Sequence, residues 1–208
     1  MNHALIIFIK NPELGKVKTR LAATIGNEKA LEVFKKLLVN IHDKSLDVRA
    51  DKLLFYSFFV DKNDIWENDV FKKYVQNQSP DLGQRMLSAF EEAKDLGYVK
   101  VLIVGSDIYE VSTEILQKGF ELLEDAETVL GPSHDGGYYA IGFNFEKINS
   151  DTFLQDIFLN KTWSHEHVAQ EALDVINSFS YTCNLLPSLS DIDTEEDLKN
   201  FPDLYNIL

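Results

Sequence analysis

The sequence predicts an α/β fold in which strands alternate with crossover helices, and three observations carry that expectation. Short apolar runs recur between longer amphipathic segments, the rhythm of βα units. Two of those runs open directly into polar, chemistry-bearing loops: Ala4-Leu5-Ile6-Ile7-Phe8-Ile9 into KNPELGKVKTR, and VKVLIVG into Ser106-Asp107. The first long amphipathic segment sets Ala30, Val33, Phe34, Leu37, Leu38 and Ile41 on one face at helical spacing, so that face belongs to the core.

Taken in order, strands are expected at 5–9, 52–60, 74–78, 99–105, 128–131, 138–143 and 181–185, and helices at 28–46, 82–95, 112–124 and 165–177. The βα rhythm holds to about residue 131, then gives way to a strand pair around Asp135-Gly136-Gly137 and a less regular tail. This asymmetry suggests a nucleotide-binding half followed by an acceptor-binding half. No repeat, low-complexity tract or Pro/Ser-rich linker divides the chain, so one domain over 1–208 is expected. Right-handed crossovers would bring the loops after residues 9, 78 and 105 to one edge of the sheet.

Composition narrows the function classes. The 208 residues are 45% apolar, enough for a substantial core within one domain. Thirty-four acidic against twenty basic residues give a net charge of -14, which argues against nonspecific attraction to nucleic acid or anionic membrane but leaves room for a local basic pocket. The single cysteine, Cys183, excludes an intrachain disulfide and a Cys-rich zinc site, and reads as a small buried hydrophobe. The opening lacks the cationic region of a signal peptide, and no stretch approaches the roughly 20 apolar residues of a membrane span. A cytoplasmic address is expected.

The cationic loop is the strongest functional signal. Lys10, Lys16, Lys18 and Arg20 are four of the chain's twenty cations and fall within eleven positions, at the carboxyl end of the first strand where parallel sheets bind ligands. Backbone N–H and ammonium groups there suit phosphate, although cations also serve simply to solvate a loop. Gly15 is the only glycine present, so neither the Walker loop nor the dinucleotide turn fits.

Other segments add candidates. Asp107 would project from a strand end into the same crevice, where Mg²⁺ commonly joins a carboxylate to phosphate; alternatively Ser106 or Asp107 caps the next helix. In SDIDTEEDL, Asp191 and Asp193 flank Ile192 and would share one side of an extended segment, giving a second carboxylate for a metal or a partner for the basic loop; Thr194 and Asp197 read as a helix start, although Asp193 could itself be the cap. In GPSHDGGYYAIG, Gly136 and Gly137 either let a ligand approach or make a plain hairpin. Asp135, His134, Tyr138 and Tyr139 could line an acceptor site there, with Asp135 as general base, and the tyrosines are equally suited to core packing. In QSPDLGQRM, Asp81 is a candidate N-cap, Gly83 permits close approach and Arg85 could reach a phosphate or base edge. His165 and His167 are spaced wrongly for a zinc pair, and Ser164 reads as a helix cap.

In this order, the segments KNPELGKVKTRL, SPDLGQRM, VGSD, VLGPSHDGGYYAIG, WS and LLPSLSDIDTEEDL resemble the small glycosyltransferase A-type family long classed as a domain of unknown function. Some of its members are radical-SAM/selenodomain-associated transferases. The resemblance covers about residues 4 to 200, and that family is similar in turn to nucleotidyltransferases such as phospholactate guanylyltransferase and molybdenum-cofactor guanylyltransferase. It implies a three-layer α/β/α fold with a mostly parallel mixed sheet, and transfer from a nucleotide-activated donor to a small-molecule acceptor. By matching motif, Lys10, Gly15, Lys18 and Arg20 would bind donor phosphates; on the reading of QSPDLGQRM itself, Gly83 and Arg85 are expected as further nucleotide contacts. Asp107 would hold Mg²⁺ or Mn²⁺, Asp193 would be a second metal or donor contact, and Asp135 would face the acceptor; Gly136, Gly137 and Tyr138 are expected beside it on the reading of their own segment. The segment GSDIYE departs from the resemblance, which carries a proline two residues after the Asp where this chain has Tyr109. The leading expectation is a nucleotide-sugar glycosyltransferase. Nucleotidyl transfer with pyrophosphate release is the nearest rival, and a noncatalytic nucleotide-binding protein is a third reading, motivated by GSDIYE.

Overall fold

The structure is a computed structural model that describes residues 2–205. In chain order the elements are β1 (His3–Ile9), α1 (Thr19–Ile25), α2 (Asn27–Leu46), β2 (Asp51–Tyr56), β3 (Phe71–Val75), α3 (Leu82–Asp95), β4 (Lys100–Gly105), α4 (Thr113–Asp125), β5 (Thr128–Pro132), β6 (Tyr138–Asn144), α5 (Phe153–Phe158), α6 (Val168–Ser178), β7 (Cys183–Leu185), α7 (Glu195–Lys199) and α8 (Pro202–Tyr205). The strands form one sheet in the order β3-β2-β1-β4-β6-β5-β7. Among the described residues only β6 runs antiparallel to its neighbours, between β4 and β5.

Strand alternation builds the three layers. Leu5, Ile7 and Ile9 of β1 enter one core with Phe34 and Ile41 of α2 and Leu116 and Phe120 of α4. Ala4 and Ile6 enter the opposite core with Phe90 of α3, Phe158 of α5 and Ile176 of α6. A strand buried on both faces must be apolar throughout, which is why the run at 4–9 carries no polar break. A third, smaller core packs Ile192, Leu198 and Leu204 of the tail against Leu21, Ala30, Val33 and Leu37 of α1 and α2. Fully burying a side chain such as Ile192 contributes roughly 1.5–3 kcal/mol, enough to hold the tail against the front of the molecule.

Several boundaries differ from expectation for identifiable reasons. The second strand stops at Tyr56 because the Asn11 side chain takes over the backbone of the following residues, accepting from Phe58 N and donating to Phe59 O. The third strand lies earlier, at Phe71–Val75; it is an edge strand, and Lys72 and Lys73 mask its pattern without disturbing it. Helix α6 begins at Val168 with His167 at its N-cap; Ser164 instead has φ 66 and is not the cap. The expectation had no helix at α1 or α5, both of seven residues or fewer. Cys183 is half-buried, short of the full burial expected.

Two contacts tie the periphery to this frame. A Cβ on Gly83 would lie 1.9 Å from Phe158 O, so α3 and the end of α5 touch backbone to backbone. His42 sits against Trp66 and Phe71, with Nε2 2.9 Å from Glu67 Oε2 and Nδ1 2.8 Å from Asp43 Oδ1. Burial pulls its pKa down, but the hydrogen bonds to Glu67 and Asp43 outweigh this and raise it.

Gly83→Ala is expected to lower unfolding free energy in urea by about 1–3 kcal/mol or more. Because the His42 pKa is raised on folding, its contribution is full below its unfolded value of about 6.5 and is lost as pH rises through the folded value. His42→Gln should therefore destabilise the protein more at about pH 5.5 than at about pH 9 in matched urea titrations, and an equal loss at both would refute the assignment.

Candidate functional site

The carboxyl ends of β1, β2, β3 and β4 share one sheet edge because these strands are parallel. The hairpin between β5 and β6 and the chain leaving β7 reach the same edge, since β6 is antiparallel to β4 and β5, and β7 is parallel to β5. The cationic loop, the chain after Gly105, the 133–137 hairpin and the acidic tail are thereby brought together.

Lys18 is at the centre. It takes the left-handed backbone conformation, φ 46 and ψ 45, as the residue preceding α1, and its side chain is only 4% exposed. Its Nζ lies 3.0 Å from Asp107 Oδ1 and 3.2 Å from Asp193 Oδ1. Burial alone would lower the lysine pKa, but Asp107 and then Asp193 outweigh it and raise it, so the ammonium stays protonated. Arg20 reaches the other oxygen of Asp193 at 3.4 Å. A cavity of about 230 Å³ opens here, lined by Lys10, Lys16, Lys18, Arg20, Asp107 and Asp193. Four cations against two carboxylates make it an electropositive recess on an acidic protein.

Local structure explains how each carboxylate is aimed. The N-cap of α4 is Ser112, so neither Ser106 nor Asp107 is spent on capping. Tyr109, at the departure from the family pattern, packs edge-on to Phe201 at 5.5 Å, and its carbonyl accepts from Asn40. This fastens the loop behind Asp107 to α2 and the tail. Asp193 is placed by the capping box of α7, in which Thr194 accepts from Asp197 N and Asp197 Oδ2 accepts from Thr194 N and Asp193 N. Thr194, not Asp193, is the cap, which leaves the Asp193 carboxylate for Lys18 and Arg20. Ile192 N donates to Asp107 O at 3.3 Å, lacing the two segments together.

Asp191 is half-buried, and its pKa is raised by burial and then by the charges of Asp135 and Asp193. Asp135 accepts at Oδ1 from Ser133 Oγ and Gly137 N, fixing the hairpin and leaving Oδ2 as its other oxygen. The glycines of that hairpin admit the protein's own chain: a Cβ on Gly136 would lie 2.0 Å from Glu166 O. Tyr138 packs beside Trp163, and its hydroxyl is buried with no hydrogen-bond partner among the described residues; burial pushes that phenol far up. Tyr139 is core, its hydroxyl donating to Pro187 O.

Gly83 and Arg85 have roles within the chain. Gly83 N donates to Asp81, the N-cap of α3, and Arg85 Nε donates to Ser79 O at 2.6 Å. Gly15 has φ 75 in the turn of the cationic loop. Sequence reasoning missed Ser164 in the cavity wall and Asn11, which ties the chain after β1 to residues 57–59. Asn11 follows directly after an apolar strand, a position where a polar side chain is either solvated or used to tie loops. Among the described residues no three His, Cys, Asp or Glu side chains converge to hold a metal. Lys18 and Arg20 engage both oxygens of Asp193 and Lys18 engages Oδ1 of Asp107, so a divalent ion here would take Asp107 Oδ2 directly, Asp193 only in exchange for Lys18 or Arg20, and its remaining oxygens from phosphate and water.

A mostly parallel mixed sheet with this arrangement of loops at its carboxyl edge is the nucleotide-diphospho-sugar transferase type of α/β/α fold. The chain belongs to the family described as an uncharacterized protein conserved in bacteria, DUF2064, whose match spans residues 44–165. It is similar to a Desulfovibrio desulfuricans G20 protein provisionally described as a nucleotide-diphospho-sugar transferase, with 28% identity and TM-score 0.86 over 99% of this chain and 93% of that one. The fold alone is shared with CMP:2-keto-3-deoxy-manno-octonic acid synthetase complexed with CTP, at 7% identity and TM-score 0.60 over 98% of both chains. It is also shared with Rv0371C of Mycobacterium tuberculosis H37Rv in complex with manganese, at 11% identity and TM-score 0.52 over 97% of both chains. No curated protein matches the sequence.

Lys18→Met would leave Asp107 and Asp193 facing each other without their shared cation. Because both carboxylates are partly exposed, the loss of unfolding free energy at neutral pH is expected to be about 1–2 kcal/mol, below that of a fully buried pair. Urea denaturation checks it; an unchanged midpoint would show that the ammonium does not hold the segments together.

Proposed function

We propose that this protein is a metal-dependent transferase that uses a nucleotide-activated donor, a nucleotide sugar, with the diphosphate seated in the Lys10–Arg20 recess. The observation that carries the reading is the Lys18 ammonium bound by Asp107 and Asp193 inside an electropositive cavity at the sheet's carboxyl edge. The similarity to the Desulfovibrio protein supports the donor class, and the manganese and CTP held by proteins of the same fold are compatible with the metal and the nucleotide.

In this reading Lys10, Lys16, Lys18 and Arg20 neutralise the diphosphate, and the charge developing on the leaving nucleoside diphosphate is stabilised by groups already in place. Asp107 and Asp193 would hold Mg²⁺ or Mn²⁺, which supplies Lewis-acid stabilisation of the phosphate oxygens when bound. The acceptor hydroxyl attacks the anomeric carbon, the bond from that carbon to the diphosphate oxygen breaks, and the hydroxyl proton passes to a base. Asp135 is the proposed base through Oδ2, with Gly137 beside it on the acceptor side; Gly136, packed on Glu166, and Tyr138, whose hydroxyl is buried, would shape that side from behind. Four cations also suit a triphosphate, which favours nucleotidyl transfer with pyrophosphate release as the second reading.

The test is a thermal-shift panel of nucleoside triphosphates, nucleoside diphosphates and nucleotide sugars, each with Mg²⁺, Mn²⁺ or EDTA. A true ligand at a hundredfold excess over its dissociation constant stabilises the folded state by about 2.7 kcal/mol. Asp107→Asn is expected to fold normally and to lose the metal-dependent part of the shift; an unchanged metal dependence would remove Asp107 from the site. Pyrophosphate release during turnover would decide for the second reading.

A further inference from the structure

At the carboxyl ends of β1, β2 and β3 a polar network ties three segments together beside the cationic recess. Asn11, 2% exposed, accepts at Oδ1 from Ser57 Oγ (3.2 Å), Phe58 N (3.0 Å) and Phe59 N (3.4 Å), and donates from Nδ2 to Phe59 O (2.9 Å). Gln76 Nε2 donates to Ile9 O and Phe55 O, and Gln78 Nε2 donates to Ser57 O and Gln76 O. What this network fixes is the backbone of Ser57, Phe58 and Phe59, yet the two phenylalanine side chains are 57% and 48% exposed.

Two aromatic side chains left in water forgo a large apolar burial, and ordering their backbone with a buried asparagine does nothing to recover it. The arrangement is explained if the rings need to stand still at that place. The place is defined by the chain: Asn11 is the neighbour of Lys10, which lines the phosphate recess. A planar, uncharged π-surface next to a cation-lined pocket matches a nucleotide, whose base and phosphates need those two environments side by side. The Gln78 amide, held by its nitrogen, keeps its carbonyl oxygen as an acceptor at the same end of the sheet.

We infer that Phe58 and Phe59 form the stacking platform for the nucleobase of the donor. This rests on the nucleotide-binding reading above and assigns the part of the molecule that distinguishes a nucleotide from a bare diphosphate. The experiment measures dissociation constants by calorimetry for inorganic pyrophosphate and for ADP, GDP, CDP and UDP, all with Mg²⁺, on the intact chain and on Phe58→Ala/Phe59→Ala and Phe58→Tyr/Phe59→Tyr. Both positions are exposed, and circular dichroism and thermal melting verify that the variants are folded. The intact chain is expected to bind at least one nucleoside diphosphate more tightly than pyrophosphate by about tenfold or more, the alanine variant to lose that margin with pyrophosphate binding unchanged, and the tyrosine variant to keep it. Nucleotide binding equally tight in the alanine variant would overturn the platform while leaving the nucleotide reading in place. Equal losses for nucleotide and pyrophosphate would also overturn it, as damage to the recess. An intact chain that binds neither would overturn both.

Discussion

The front of this molecule depends on one buried ammonium group. Lys18 is where residues from the beginning, middle and end of the chain meet, since its two carboxylate partners lie 89 and 175 positions away along the sequence. A lysine side chain so deeply enclosed is tolerable only with opposite charge against it, and each carboxylate in turn is relieved by the ammonium. The left-handed backbone at Lys18 is the local strain that turns the side chain inward as α1 begins.

Apolar packing determines where those charges can be. The tail has little secondary structure of its own, yet Ile192 enters the third core and obliges the residues on either side of it to face the crevice. The capping box of α7 then fixes the following turn. On the other strand, Tyr109 stands against Phe201 and does the work of stiffening the loop behind Asp107 without the ring constraint of a proline. The carboxylates are thus positioned by hydrophobic contacts one or two residues away, and their geometry does not rely on attraction alone.

Much of the fold was legible because strands buried on both faces leave continuous apolar runs and α2, α3 and α4 leave clear amphipathic stripes. The edge strand β3 was displaced in the reading because Lys72 and Lys73 interrupt its pattern, and the short helices α1 and α5 have too few turns to show a period. At the site, the cationic loop and Asp107 were readable from their place at strand ends, and Thr194 with Asp197 was readable as a helix start. An acidic partner for the basic loop was readable in Asp191 and Asp193, but which cation meets which carboxylate was not, since no local pattern encodes a contact across most of the chain. Nor could sequence show that the space beside Gly83 and Gly136 is filled by the backbone near Phe158 and Glu166.

Those two glycine contacts have a consequence for how such a protein can diversify. They clamp the stretch from α5 to α6 at both of its ends, while between them Ser164 lines the crevice and Trp163 reaches Asp81, the N-cap of α3. Change confined between the two contacts alters one wall of the recess, at Ser164, and leaves the sheet and the cationic loop as they are. The bridge behaves as an interchangeable cassette: its sequence can vary while the cationic loop and the two carboxylates facing it keep their positions.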